Sequence, residues 1–243
     1  MTQHMHTNRT WGGALLAGLL SFLIATPYAY PEAYIGGQIG TTLAGNTLKG
    51  VELTDFSPPG TMSDRELASS ALLGVKVGYY FPRARWFGIE SEFFQTTPHI
   101  KQQNTRITIP TGATLKDFGP VAGGTVEGTL SGDYFRVRAF VPINLMFRYH
   151  KTRLQPYLGI GMGVFMANIK TTATGFEGSQ SSTSIGFNTK AGLEYYITRH
   201  LSAFGEWKHS RASFNFDANS TGGFGLKADY NPHFIAFGLN YHF

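Results

Sequence analysis

The chain ends on NPHFIAFGLNYHF, in which Ile235, Phe237, Leu239, Tyr241 and Phe243 occupy every second position, with Ala236, Gly238, Asn240 and His242 between them. Successive side chains of a strand leave opposite faces, so this period of two predicts a strand with one greasy face and one small or polar face. The alternation recurs along the chain. From 71 to 81, Leu73, Val75, Val77 and Tyr79 oppose Gly74, Lys76 and Gly78, and from 86 to 95, Phe87, Ile89 and Phe93 oppose Gly88, Glu90 and Glu92. From 133 to 149, Phe135, Val137, Ala139, Val141, Ile143, Leu145 and Phe147 oppose Arg136, Arg138, Asn144 and Arg148. Residues 33 to 43, 156 to 169, 184 to 197 and 201 to 214 complete a set of eight with the terminal segment.

The connections alternate too. Residues 82–85, 150–154 and 198–200 are turn-sized, whereas about 44–70, 96–132, 170–183 and 215–232 are long and rich in Gly, Ser, Thr and Asn. Short turns on one rim, long loops on the other and an even strand count predict an all-β fold: an eight-stranded antiparallel up-and-down transmembrane β-barrel with short periplasmic turns and long extracellular loops. A soluble barrel would turn its polar face to water. Here that face is rich in glycine and poor in lysine, which suits a crowded interior. Aromatics also gather at both ends of the apolar face, with Tyr79, Phe81, Phe87, Phe147, Tyr195, Tyr241 and Phe243 near the turns and Phe93, Phe135, Phe187 and Trp207 near the loops.

The N-terminus bears on compartment. Arg9 precedes an uncharged run from Trp11 to Ala25, followed by the small residue Ala29. The run is short for a membrane-spanning helix and has the length of a signal peptide. The expected organisation is therefore a signal peptide over 1–29 and an outer-membrane β-barrel domain over 30–243.

Eight segments, an export signal and the ending Phe237 to Phe243 resemble the small outer-membrane barrels of the opacity-protein and OmpA-like type. Residues Glu206 to Phe216 are similar to the seventh strand of that group. The resemblance implies localisation to the outer membrane of a Gram-negative cell, among outer-membrane lipid and lipopolysaccharide. It also implies that Phe243, Tyr241, Leu239 and Phe237 form the signal read by the barrel-assembly machinery. Members share the barrel and differ in what their loops do. The implied role is non-enzymatic: display of surface loops for envelope integrity, or for adhesion or contact with an unidentified surface ligand.

The charges fit a barrel better than a polyanion-binding surface. The formal net charge is +5, yet the cations are partitioned among loops, turns and lumen, so no basic face for nucleic acid emerges. The polar face supplies a lumen charge network of Lys76, Glu90, Glu92, Arg136, Arg138, Arg148, Lys190, Glu194, Glu206 and Lys208. With an interior just wide enough for side chains, these residues would form a plug. A small porin-like channel is the alternative, followed by a lipid A-modifying enzyme. The second needs a nucleophile and base on one face, whereas His209 and Ser210 are adjacent and point to opposite faces. Absence of cysteine excludes disulfides and thiol chemistry. No spacing calls for a metal or cofactor, and Gly159 to Gly163 lies within a strand with no helix after it.

Three local expectations follow. Lys76 should face Glu90 or Glu92. Pro142, which cannot donate to a ladder in a wall without free edges, should mark a bulge. Residues 105–110 and 124–131 should pair as a hairpin above the membrane.

Overall fold

The computed structural model describes residues 32–43, 45–130, 134–171, 178–217 and 224–243. The proposed signal segment 1–29, and Ser131 at the end of the expected hairpin, lie outside the described residues. In chain order the strands are β1 (Glu32–Thr42), β2 (Thr47–Leu53), β3 (Phe56–Ser57), β4 (Gly60–Met62), β5 (Arg65–Glu66), β6 (Ala71–Phe81), β7 (Ala84–Thr96), β8 (Gln103–Ile109), β9 (Thr114–Leu115), β10 (Gly119–Pro120), β11 (Gly124–Leu130), β12 (Tyr134–Arg148), β13 (Leu154–Thr171), β14 (Gly178–Tyr196), β15 (Leu201–Phe216), β16 (Leu226–Tyr230) and β17 (His233–His242).

The long strands pair antiparallel in succession: β1 with β6, β6 with β7, β7 with β12, β12 with β13, β13 with β14, β14 with β15 and β15 with β17. β17 then pairs with β1 from Tyr34 opposite His242 to Thr42 opposite Phe234. The result is an antiparallel β-barrel. Pairing on both sides of each wall strand satisfies backbone donors and acceptors internally, which a wall facing hydrocarbon requires.

Side chains separate cleanly across this wall. Ile35, Ile39, Leu73, Val75, Ile89, Leu158, Ile160, Ile185, Phe237 and Leu239 are all exposed. Their neighbours Gly36, Gln38, Lys76, Glu90 and Asn240 are buried inside. An apolar exterior and polar interior invert the usual arrangement of a water-soluble sheet protein.

Pro142 breaks the pattern. Toward β13 the pairing of β12 jumps from Phe140 to Ile143, and toward β7 it jumps from Val141 to Asn144. The bulge accommodates a residue with no N–H to give, and one extra residue exchanges the faces of the strand. Beyond the bulge, Asn144, Met146 and Arg148 point inward while Ile143, Leu145 and Phe147 point outward. On the loop side of it, Phe135, Val137, Ala139 and Val141 are fully buried, and Arg136 and Arg138 are exposed. Strict alternation through position 142 had put these two arginines in the lumen and Phe135 in the outer aromatic set. Both assignments are corrected by the bulge.

The loop end of the interior is accordingly apolar. Phe94, Phe135, Phe165, Phe214, Phe216 and Phe234 pack together with Leu48, Val51, Leu67 and Ile100 from the long connections. Those connections are not plain coil. β16 pairs with the end of β15 and with β2, β2 with β4 and β5, β4 with β8, and β8 with β11. The β8–β11 hairpin sets Ile109 opposite Gly124 and Ile107 opposite Val126, the pairing expected from the alternation there. β3, β9 and β10 form a separate small sheet.

The chain contains no cysteine, so engineered cysteines report the facing of β12 directly. In detergent, Arg136→Cys and Arg138→Cys should react with a charged maleimide within minutes, and Val137→Cys and Ala139→Cys should stay unreacted until the protein is unfolded. The opposite pattern would place the bulge elsewhere.

Candidate functional site

Six interior side chains meet at one level of the barrel. Lys76 on β6 lies 3.8 Å from Glu90 on β7 and 3.2 Å from Glu206 on β15. Lys190 on β14 contacts Glu90 and lies 2.9 Å from Glu92. Lys208 on β15 lies 2.5 Å from Glu92 and 3.1 Å from Glu206. Every lysine touches two glutamates and every glutamate two lysines, so the six close an alternating ring. Three positive and three negative charges sum to zero. Each of these residues is almost wholly shielded from solvent.

A buried ion pair repays its desolvation only with good geometry and with its remaining lone pairs satisfied. The ring has further partners of that kind. The Tyr34 hydroxyl donates to Glu90 at 2.6 Å, the Tyr157 hydroxyl to Glu206 at 2.7 Å, and the Asn188 amide to Glu92 at 2.7 Å. The Lys76 ammonium also sits 3.4 Å from the centre of the Phe204 ring. Glycines make room for the tyrosines. A Cβ on Gly78 would fall 2.2 Å from the Tyr34 ring, and one on Gly192 2.5 Å from that of Tyr157.

The other four residues of the expected lumen network lie elsewhere. Glu194 forms a second cluster at the turn end, accepting from the Asn240 amide at 2.6 Å and the Ser202 hydroxyl at 2.5 Å, with His242 Nε2 at 3.1 Å. Arg148 is held there over the Tyr80 ring, donating to the Arg85 carbonyl at 2.9 Å and the Tyr196 hydroxyl at 3.1 Å. Arg136 and Arg138 stand outside the barrel, and Arg138 donates to Gln95 at 3.0 Å. Tyr34, Tyr157, Asn188, Ser202, Asn240 and His242 were not singled out from the sequence. Their inward parity was readable, as the even positions of the terminal strand illustrate, but which of them meet across the interior depends on barrel stagger.

Serine, histidine and glutamate converge at this turn-end cluster, with Ser202 Oγ 3.0 Å from His242 Nε2. A hydrolytic relay takes the serine proton on one ring nitrogen and binds the carboxylate with the other. Here Nε2 faces both groups, Nδ1 faces the Tyr196 hydroxyl, and all three residues of the would-be relay are buried. The cluster therefore has the geometry of a buried hydrogen-bond network. His209 and Ser210 do point to opposite faces, the Ser210 hydroxyl inward to Asn188 at 3.1 Å. Among the described residues no group of three or more His, Cys, Asp or Glu side chains is arranged to hold a metal ion.

Outside the wall, the short-turn rim is basic, with Arg85, Lys151, Arg153 and Arg199 exposed. Partial desolvation, reinforced by Arg148, Arg85 and Lys151, lowers the pKa of the His150 imidazole from its ordinary value. The terminal residues Phe237, Leu239, Tyr241 and Phe243 all face outward.

The sequence matches the family model described as outer membrane protein beta-barrel domain over residues 14–243. The chain belongs to this family. Its place is the cell outer membrane. Neisserial surface protein A shares 11% identity at a TM-score of 0.50, covering 87% of this chain and 97% of that one. OprG of Pseudomonas aeruginosa shares 16% at 0.51, covering 88% and 97%. AlkL, solved in DMPC lipid bilayers, shares 14% at 0.51, covering 90% and 93%. At these identities the likeness concerns the fold. No curated protein matches the sequence.

The ring makes a sharp stability prediction. Glu92→Gln leaves Lys190 and Lys208 each one carboxylate short and should cost about 3–5 kcal/mol, read as a lower urea midpoint in lipid vesicles. The double variant Glu92→Leu/Lys208→Met, which removes one charge of each sign, should unfold at a higher urea concentration than Glu92→Gln. A Glu92→Gln midpoint equal to wild type would mean that the ring is not needed for neutralisation.

Proposed function

We propose that the chain is a non-enzymatic barrel whose eight long strands cross the outer membrane, with the turns in the periplasm and the connections folded into a surface layer that contacts an external ligand. The observation that carries this reading is the layer itself. β2, β4, β8, β11 and β16 continue the hydrogen-bonded sheet of the wall, and β2, β4 and β16 pack apolar residues such as Leu48, Val51, Met62 and Tyr230 onto the loop-end core. An ordered sheet loses less conformational entropy on binding than a coil of the same length, so it suits a recognition surface. The outward set on β14 runs from Ile185 to Tyr195, close to the 9–11 residues with which a tilted strand spans a bilayer.

The interior supports closure over conduction. The ion ring spans from β6 and β7 to β14 and β15, with an aromatic group of Tyr34, Tyr80, Tyr157 and Phe204 on its turn side and the phenylalanine core on its loop side. The outward terminal residues are suited to recognition by the assembly machinery before the barrel closes.

Planar-bilayer recordings test closure: purified protein should give no steady channels at neutral pH, and large persistent conductance would favour the channel reading. Loop display is tested by replacing 103–130 with a short Gly-Ser linker. Binding of expressing cells to a panel of host-cell and matrix surfaces should fall to background while folded protein in the outer membrane is unchanged. Equal binding by both forms would exclude this layer as the contact surface.

A further inference from the structure

We propose that Arg136, Arg138 and Lys170 form a docking site on the outside of the barrel for the phosphate groups of an anionic lipid in the outer leaflet. This rests on the membrane orientation proposed above. The bulge at Pro142 brings the arginines to this face. Following the outward positions of β12 away from the turns, Ile143 and Phe140 are exposed apolar residues, then come Arg138, Arg136 and Tyr134. Phe140 is flanked by Phe93 on β7 and Val164 on β13, whereas Arg138 is flanked by Gln95 and Met166, and Arg136 by Asn168. The change from hydrocarbon-facing to polar groups thus falls between Phe140 and Arg138, which places the arginines at the depth of lipid phosphates.

Charge gives the reason to expect an anion. Neither β12 nor β13 contains an acidic residue. Lys170 stands opposite Tyr134, diagonal to Arg136 across the strand pair. Such diagonal neighbours are about 7–8 Å apart, within reach of long side chains, so the two cations can converge on one anion. Among the described residues no carboxylate forms a salt bridge with any of the three.

The donors suit phosphate. Arginine presents a fork of N–H groups that matches two phosphate oxygens, and the Arg138 Nε bond to Gln95 fixes the plane of that fork. The Asn168 amide, held to Ser179 at 3.0 Å, and the exposed Ser181 beside it add neutral hydrogen-bonding groups. The adjacent apolar row of Phe93, Phe140 and Val164 offers acyl chains a surface directly below.

The probe is the intact protein in phosphatidylcholine nanodiscs doped with bisphosphorylated lipid A or with the same lipid A after dephosphorylation, with bound lipid counted by native mass spectrometry. Retention of barrel mobility on unheated gels establishes that each variant is folded and inserted; failure of wild type at that stage would count against the membrane reading itself. Wild type should retain the bisphosphorylated form preferentially. At roughly fivefold per basic residue, Arg136→Gln/Arg138→Gln should lower retention about thirtyfold, and Arg136→Lys/Arg138→Lys should fall between. Equal retention by wild type and the glutamine variant, or no preference for the phosphorylated form, would overturn the site. Displacement of bound lipid A by millimolar inorganic phosphate would overturn the lipid as its occupant.

Discussion

Three lysines and three glutamates that must neutralise one another in an interior shielded from solvent set the terms for the rest of the wall. The pairing of β6 with β7 puts Lys76 opposite Glu92, and that of β14 with β15 puts Lys190 opposite Lys208. Neither pairing is self-sufficient: the like-charged lysines need the glutamates of the far wall. A slip of one residue in any of these strands would turn its ring member toward the outside and an apolar residue inward. The ring therefore penalises wrong registers in two hairpins far apart in sequence, while closure of the backbone ladder by itself is indifferent to which face is which. The lumen glycines belong to the same constraint, because Gly78 and Gly192 leave the space in which the tyrosines reach the carboxylates.

The bulge at Pro142 divides the barrel into unlike halves. On the turn side, charged and hydrogen-bonding residues fill the interior; on the loop side, phenylalanines and small aliphatics do. Without the change of parity, Phe135, Val137, Ala139 and Val141 would face outward and Arg136 and Arg138 would enter a cavity whose other walls are Phe94, Phe165 and Phe214. Unpaired guanidinium groups there would carry a heavy desolvation cost. Instead the interior at this level offers an apolar seat, and Leu48, Val51, Leu67 and Ile100 from the long connections fill it. The surface layer is thus anchored by burial as well as by backbone pairing.

Much of this was legible in the chain because a strand alternates strictly. The two faces of β6, β7, β13, β14 and β17 and the β8–β11 hairpin could be read from period two, and the glycine-rich polar face and clustered aromatics said which face is outward, so that Lys76, Glu90, Glu92, Lys190, Glu206 and Lys208 point inward. Pro142 is legible as a bulge, but the side of it on which the faces exchange is not, since β12 alternates without a visible break around it, which leaves Arg136 and Arg138 on the wrong face. The separation of Glu194 from the ring could not be read either. It depends on which strands face each other across the interior, a matter of stagger that pairwise alternation leaves open. The strands β2, β4 and β16 were hidden for another reason: they are short, and their apolar residues are dispersed among Gly, Thr and Asp.

Packed side-chain clusters line both halves of the interior, and the two surfaces proposed for contact with other molecules lie outside the barrel. They adjoin. An isolated bridge joins His99 to Tyr134, tying the start of the second long connection to the residue that stands just beyond Arg136 on β12. The His99 and Tyr134 rings lie 4.0 Å apart at that junction. The β8–β11 hairpin, carried between β7 and β12, and the proposed cationic site on β12 and β13 consequently share β12. Residues bound to lipid phosphate there would hold the loop end of β12, where the hairpin is attached. The proline that forces the bulge thereby acts on both surfaces: it supplies the rim with its arginines and the layer with its apolar seat.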